Sequence, residues 1–522
     1  MTELLDQLPN HLRPAFEQAL SQIEAEKVEQ KEARKRLEIE NKLLKEEIRL
    51  MRIEKYGPKS EQLSDGQLEL LESEPGVSAG EIETEADRTE GEKRDVGQPR
   101  KRRHPGRTEL PAHLPRIERI LTCTAEQCRC GACGAETRVI GYDISEELDI
   151  KPAEYFVLVT KREKRACPQC EEGGVMAAPL PAKIVEKGKL SNAVVVDVIL
   201  KKYRDHTPLY RQGMILDRDC GVEISRATLC NGVMTAGGWL EAIQKELRAD
   251  LLAGNYIQAD ETPIGVQTPE KTGSNHRGYL WQYGRPDGPV VFDFQMGRGR
   301  EGPRRFLGNF GGHLQSDGYG AYDKIGGEGI VFMGCMTHAR RGFIDALKIN
   351  PKESRATEIV GVIGALYAVE AHARETGMSA AERLALRQQK SVPLLAELKS
   401  KIIAARQNAM PQSALGKACD YALGQWERLI VYAGNGEVEI CNNLCENSMR
   451  GPVLGRKNWL HFGSEDAGPR IAAIMSVMET CRRLGINERD YLNDVLPKIP
   501  NWPANRIAEL TPMAWQAVRA AA

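Results

Sequence analysis

No run of about 18 apolar residues occurs anywhere in the 522-residue chain, which excludes a helical membrane span. Net charge is missing as well. With 72 Lys and Arg against 73 Asp and Glu, the whole-chain field argues for no particular partner, and only local clustering can. Met1 to Asn10 carries acids and an early proline in place of the basic stretch and apolar core of a secretory signal, so a chain that is not exported is expected. The 13 Cys then read as reduced thiols, and any close cluster of them as metal-binding rather than disulfide-bonded. At roughly 150 residues per domain, the length expects about three or four domains.

Other absences are local. Phe16 to Tyr56 has neither Gly nor Pro, and Leu37, Asn41, Leu44, Ile48 and Met51 repeat at 4-3-4-3 spacing, a seam with a polar, register-fixing Asn. Lys27, Gln30 and Arg34 are poor seam residues, so both an oligomerising coiled coil and a solvated lone helix stay open. Glu61 to Asp95 has no aromatic residue and sets twelve acids against three bases, the composition of a self-repelling, disordered linker. The sign then flips at Arg100-Lys101-Arg102-Arg103, followed by Pro105-Gly106-Arg107. This strip is suited to lie along phosphates, and equally to be a solvated charge run.

Cys130-Gly-Ala-Cys133 and Cys167-Pro-Gln-Cys170 are two CxxC pairs, each a tight turn that aims two thiolates at one point, as a tetrahedral Zn2+ requires. Cys123 and Cys128 are surplus thiols nearby. No His or carboxylate stands among them to keep a coordination position open, so the zinc is expected to fold a small module and to do no chemistry.

Leu190 to Leu252 reads as helical. Pro208 to Asp219 forms one helix, Cys220 to Ile224 a turn, and Ser225 the N-cap of a second helix through about Ala236. That is the outline of a helix-turn-helix offering Arg226 and Thr228 to a DNA groove, although ordinary packed helix pairs share it. From Asn255 the pattern turns to strands at Tyr256–Asp260, Gly278–Tyr283, Val290–Phe294, His313–Asp317 and Val331–Cys335, with a helix near Glu301 to Asn309 and another from about Thr337. The order three strands, helix, strand, helix, strand, helix predicts a mixed α/β sheet and not a doubly wound one. About 351–432 is helical throughout.

Asp260 and Asp317 fall at the carboxyl ends of two of these strands, where α/β sheets place their sites. Glu446 lies in Cys441-Asn-Asn-Leu-Cys-Glu446-Asn-Ser-Met-Arg450, where the paired Asn residues begin a helix. Three carboxylates can hold two Mg2+ (or Mn2+) ions for phosphoryl transfer. His338-Ala-Arg340-Arg341, Arg450 and Arg456-Lys457 would hold phosphates nearby. Pattern alone leaves Glu261, Asp293 and Asp323 as competitors.

Ala259-Asp260-Glu261-Thr262, Ser316-Asp317-Gly318-Tyr319, Gly334-Cys335 followed by His338 to Arg341, and Glu446 to Arg450 with Leu454 to Leu460 resemble the motifs of the IS66-family transposases. The likeness extends through Lys55 to Glu61, Gly106-Arg107, Leu110 to Pro115, the two CxxC pairs and Asn487 to Pro503. It implies a DDE transposase of an insertion sequence with an RNase H-like core, its triad on Asp260, Asp317 and Glu446. The implied activity is metal-dependent strand cleavage and strand transfer at terminal inverted repeats. The expected partners are the element's ends, target DNA, further copies of the chain and accessory proteins of the same element, in the bacterial cytoplasm at the nucleoid. The pattern departs at Cys441, where the family carries Asp, and at Cys445, where it carries a small residue; Asn442 is then the expected helix cap.

The fold class is therefore multidomain α+β. It comprises an N-terminal helix or coiled coil (1–57), an acidic linker ending in the basic strip (58–115), a zinc-binding module (116–182) and a helical, helix-turn-helix-like region (183–252). The RNase H-like mixed α/β core follows in two parts (253–350 and 436–480) around a helical insertion before the last acid (351–435), with a C-terminal segment at 481–522. Two other functions stay open: a catalytically inactive, transposase-derived DNA-binding protein, and a metal nuclease that cuts without strand transfer.

Overall fold

The computed structural model describes residues 27, 30–32, 34–46, 48, 155–161, 163–166, 175–177, 179–269 and 274–521. Cys130, Cys133, Cys167, Cys170, the strip Arg100 to Arg103 and the acidic linker lie outside the described residues. The described residues divide between two compact units, one drawn from 1–91 with 180–522 and the other from 92–179. In the smaller unit, β1 (Lys164–Ala166) pairs antiparallel with β2 (Val175–Ala177), with Arg165 opposite Met176. No described helix is long and apolar enough to cross a membrane.

The larger unit opens with α1, helical over 34–46, whose Leu37 and Leu44 are exposed. Ser191 starts α2 (Asn192–Tyr203) by accepting from Val194 N. Next, α3 (Leu209–Cys220) stops at Gly221, whose φ of 62° lets its N–H and that of Val222 return to Asp217 O and Leu216 O. Ser225 then caps α4 (Arg226–Ala253), accepting from Thr228 N at 3.2 Å. The cap is as expected, but α4 runs well beyond Ala236. The Gly237-Gly238 pair that suggests a stop is instead a packing site: a Cβ on Gly237 would sit 2.8 Å from the Arg470 carbonyl oxygen. Leu229, Val233, Ala236, Leu240, Ile243, Leu247 and Leu251 form one continuous buried stripe along α4.

β3 (Tyr256–Val266), β4 (His276–Gly284) and β5 (Val290–Gln295) form an antiparallel meander. After α5 (Glu301–Leu307), β6 (His313–Gln315) returns parallel to β3, and β7 (Val331–Met333) lies parallel outside β6. The sheet order is β5-β4-β3-β6-β7, the mixed sheet expected. The connection from β6 to β7 contains only a single 3-10 turn, Gly320–Tyr322, in place of the expected helix.

β3 also corrects the expected strand end at Asp260, because it continues to Val266. Antiparallel pairing with β4 holds all of Gln258 to Val266, so the strand persists although β6 leaves its other edge after Gln258. Parallel pairing on that edge resumes only at Gly265 and Val266, opposite His461 and Phe462. Residues 259–264 thus face a gap in the sheet, and Pro263, with no N–H to donate, suits that edge.

Beyond β7 come α6 (Met336–Ile349), α7 (Ser354–Glu375), α8 (Ala380–Leu386), α9 (Val392–Gln407), α10 (Ala414–Gly424) and the short α11 (Trp426–Leu429). All but α8 share an apolar core that includes Phe343, Ile359, Leu366, Leu398, Trp426 and, from the turn that follows, Tyr432. The chain then returns to the sheet as α12 (Asn443–Trp459), β8 (His461–Phe462), α13 (Ala467–Arg483), α14 (Glu488–Val495) and α15 (Pro512–Ala521). α13 covers the outer strand: Ser476 Oγ accepts from Phe292 N at 2.8 Å and Thr480 Oγ1 from Val290 N at 3.0 Å, satisfying edge donors.

Arg387, fully buried, joins the helical block to the returning chain. Its guanidinium donates to both Glu370 oxygens (2.8 and 2.6 Å) and to the carbonyls of Tyr432, Asn435 and Val438. Replacing one member of such a pair strands a charge in the core. Arg387→Met is therefore expected to cost about 3–5 kcal/mol, read as a lowered melting temperature of the full chain, and Arg387→Met with Glu370→Met to recover much of it.

Candidate active site

Gln258 on β3 stands opposite Gln315 on β6 in parallel register. Two residues further along each chain come Asp260, on the same face of β3 as Gln258, and Asp317, in the turn just past β6. Neighbouring strands lie roughly 4.8 Å apart, so this register sets the two carboxylates side by side at the mouth of the gap. Asp317 stands just past the end of β6, where its Oδ1 accepts from Tyr319 N at 2.8 Å across a turn that Gly318 makes at φ 88°. Tyr421 on α10 holds that turn from the other side, its hydroxyl donating to Asp317 O at 2.6 Å. Asp260 Oδ1 accepts from Glu261 N at 2.9 Å. Neither carboxylate has a Lys or Arg partner among the described residues. Burial, then the charges of Glu446, Glu261 and Asp317, hold the Asp260 carboxyl well above the usual carboxylate range.

Glu446 reaches this place because the chain before it is pinned to the sheet. Gln258 Nε2 donates to Cys441 O at 2.9 Å, and Gln315 Nε2 to Glu439 O at 2.9 Å and Gly334 O at 3.1 Å. Tyr256 OH donates to Gln315 Oε1 and accepts from Glu439 N. Both glutamines are buried, so every one of these bonds shuts out water. α12 starts with Asn442 O accepting from Cys445 N and Glu446 N. Asn442 does not cap through its side chain, contrary to expectation; its Nδ2 donates to Ala259 O at 3.4 Å, tying the helix start to β3. Cys441 is buried among the residues of the apolar core. Cys445 donates its thiol to Gln282 Oε1 at 2.8 Å, under the sheet.

On the exposed side of Glu446, Arg341 Nη2 meets Oε2 at 3.1 Å and His338 Nδ1 lies 3.4 Å from Oε1. Cys335, at the start of α6, completes a cluster in which sulfur, nitrogen and oxygen lie within 4.8 Å of one another. Burial and then the Glu446 charge push the Cys335 thiol up to about 12, against backbone N–H groups of Asn442, His338 and Thr337 that point at its sulfur. A cavity of about 770 Å³ opens beside these groups, lined by Asp317, His338, Tyr421 and, from α1, Glu40, Leu43 and Leu44.

The competing acids differ from Asp260 and Asp317 in being engaged. Glu261 meets Arg298 at 2.7 Å and accepts from Tyr322 OH at 2.9 Å. Asp323 meets Arg428 at 2.7 Å, and Asp293 accepts from Gln295 Nε2 at 2.6 Å. Among the basic candidates, Arg341 and Lys457 are exposed and Arg340 and Arg450 half-buried, whereas Arg456 is spent on the sheet gap, donating to Thr262 Oγ1 at 2.8 Å and Pro263 O. Arg226 is exposed at the start of α4, remote in sequence from the acids, and Thr228 Oγ1 lies 2.9 Å from the capping Ser225 hydroxyl. Sequence reasoning missed Gln258, Gln315, Tyr421 and Arg298, which stacks over Tyr319 at 3.8 Å, and quoted Cys335 within a motif without giving it a role. A signal for the glutamines is present: Gln258-Ala-Asp260 and Gln315-Ser-Asp317 are the same tripeptide pattern twice.

The raised Asp260 carboxyl fixes a sign. Its ionisation works against the fold, so its contribution is most favourable below its unfolded value of 3.8 and is lost as pH rises through the higher folded value. Asp260→Asn is expected to raise the melting temperature near pH 7 in the absence of added divalent ions, with the difference closing as pH falls toward 4. A calorimetric pH series on the two proteins checks this.

Four stretches of the chain match domains of one transposase family. Residues 187–470, more than half the chain, match the description "Transposase IS66 family". Residues 43–119 match "Transposase C of IS166 homeodomain", 127–171 "zinc-finger binding domain of transposase IS66", which spans all four CxxC cysteines, and 476–513 "IS66 C-terminal element". Among curated relatives, the uncharacterized protein y4qI of Sinorhizobium fredii (strain NBRC 101917 / NGR234) is 32% identical over 89% of this chain and 87% of its own. Two others from that strain, y4jD and y4hP, are 32% identical over 78% of this chain and 82% of their own, and 30% identical over 93% and 89%. The chain belongs to the IS66 family of insertion-sequence transposases, DNA-binding proteins with a zinc-finger module.

Proposed function

We propose that Asp260, Asp317 and Glu446 form the acidic triad of a DDE transposase built on an RNase H-like core, and that the chain cuts and joins DNA at the terminal inverted repeats of its element. One observation carries this reading: the parallel register that sets Asp260 beside Asp317, with the Glu446 charge on the same carboxyl and, among the described residues, no basic side chain on either Asp. Two aspartates gathered with no Lys or Arg partner of their own among the described residues fit divalent cations, and an all-oxygen donor set on them suits Mg2+ or Mn2+. When bound, such ions supply Lewis acidity to the attacking and leaving oxygens of an in-line displacement.

The chain's own residues do the rest. The Gln258 and Gln315 clamp orients the helix that carries Glu446. Arg341, on the rim, holds one Glu446 oxygen and turns its solvent side toward an incoming phosphate. His338, Arg340, Arg450 and Lys457 extend that positive rim, and the half-buried gap along 259–264 limits water around the scissile group. Arg456 acts as a strut of the gap. Arg100 to Arg103 and Arg226 are assigned to DNA ends, Cys130, Cys133, Cys167 and Cys170 to a structural Zn2+, and α1 to assembly of homo-oligomers. Accessory proteins of the same element complete the proposed partners, and cleavage followed by strand transfer is one displacement used twice.

Asp260→Asn, Asp317→Asn and Glu446→Gln are each expected to lower Mg2+-dependent cleavage and joining of a fragment with the gene's flanking repeats by at least ~10²-fold, leaving DNA affinity nearly unchanged. Undiminished cleavage in any variant removes that residue from the triad, and cutting without joining favours a nuclease. Replacing Arg100 to Arg103 with Ala is expected to flatten the salt dependence of binding by about 0.9 in log–log slope for each phosphate no longer neutralised, as read by fluorescence anisotropy.

A further inference from the structure

We infer that Cys335, His338 and Glu446 form a second, soft-donor metal site that takes a thiophilic divalent ion such as Zn2+, Co2+ or Cd2+, and that an ion there inhibits the enzyme by engaging Glu446. The three ligand atoms lie within 4.8 Å of one another and come from two elements, the start of α6 and the first turn of α12. Cys335 is the N-cap residue of α6 and His338 lies in its first turn, three residues on. A tetrahedral ion with bonds of roughly 2.0–2.3 Å holds its ligands ~3.5 Å apart, and His338 Nδ1 is already 3.4 Å from Glu446 Oε1.

Two further observations point to a ligand. Both His338 Nδ1 and Glu446 Oε1 are buried atoms without a hydrogen-bond partner. The Cys335 sulfur, fully buried, is faced by the backbone N–H groups of Asn442, His338 and Thr337, the kind of outer shell that steadies a metal thiolate. Access is through the cavity lined by His338 and Asp317. Arg341 holds only the other Glu446 oxygen, Oε2, so it does not occupy the site. Binding releases the thiol proton to solvent, leaving Cys335 thiolate and Glu446 carboxylate to balance the two positive charges of the ion.

The donor sets divide the two sites by chemistry. Asp260 and Asp317 offer oxygen alone and favour Mg2+ or Mn2+, whereas sulfur, nitrogen and one oxygen favour Zn2+. Glu446 belongs to both, so the ions compete for it. The inhibitory consequence rests on the triad proposed above; the binding of the ion does not.

The test uses the full chain already loaded with zinc at its CxxC module and titrated with Co2+, reading the near-ultraviolet thiolate-to-cobalt band. The native chain is expected to gain a band that Cys335→Ser abolishes and His338→Ala weakens, with affinity for Co2+ falling by more than the ~10²-fold that loss of an outer-shell partner costs. Asp260→Asn is expected to keep the band, and His338→Ala decides the case should Cys335→Ser fail to fold. In parallel, Zn2+ added at fixed Mg2+ is expected to inhibit cleavage by the native chain and at least tenfold less by Cys335→Ser. Absence of a new band, its persistence unchanged in either ligand variant, or its loss in Asp260→Asn overturns the proposal. A cobalt band that behaves as described in a chain that never cleaves DNA would leave the metal site standing and count against the triad.

Discussion

The buried bonds from Gln258 and Gln315 to the carbonyls of Cys441 and Glu439 are the constraint on which the rest of the site depends. Asp260 and Asp317 are near each other simply because two parallel strands are. Glu446 has no such guarantee, since more than a hundred residues, most of them helical, separate it from β7. The two glutamines solve this with neutral amides, each satisfying backbone carbonyls that would otherwise be buried unpaired at a cost of about 1–3 kcal/mol. The helical block contributes the other half of the clamp, through Arg387 on the carbonyls of residues 432–438 and Arg383 on Glu439 at 2.8 Å. The returning chain is therefore held from both sides before α12 begins.

Electrostatics separates this site from the rest of the fold. Elsewhere acids find bases: Glu370 with Arg387, Glu261 with Arg298, Asp323 with Arg428. Among the described residues, Asp260 and Asp317 are left with backbone N–H groups, and Asp260 resists ionisation because it is buried among negative neighbours. Such an arrangement works against the fold near neutral pH, a cost that the proposed divalent cations would offset. Cys335 and His338 add softer donors at its edge, so in the proposed assignment one glutamate stands between two kinds of metal chemistry.

Much of this is legible in the sequence, and the failures have physical causes. The mixed sheet and the Ser225 cap follow from strand alternation and capping chemistry, whereas the choice of Asp260, Asp317 and Glu446 over Glu261, Asp293 and Asp323 comes from the family resemblance. Sequence pattern ends α4 near Ala236, whereas the helix runs on to Ala253 with Gly237 packed against Arg470. It ends β3 at Asp260, whereas pairing with β4 on one side alone carries the strand to Val266. Asn442 looks like a side-chain cap, but its amide serves the sheet 183 residues away in sequence. Long-range partners of this kind leave no local trace, and the repeated Gln-x-Asp is the exception, a pattern that marks both arms of the clamp.

The most direct test of the account is the Mg2+ dependence of strand cleavage in Gln258→Leu, measured together with DNA affinity. If the glutamine clamp places Glu446 against the aspartates, the apparent Mg2+ affinity falls by about 10–100-fold, as for loss of an outer-shell partner, while DNA affinity holds. An unchanged Mg2+ requirement in a variant that is merely less stable would contradict the claim that this clamp assembles the site.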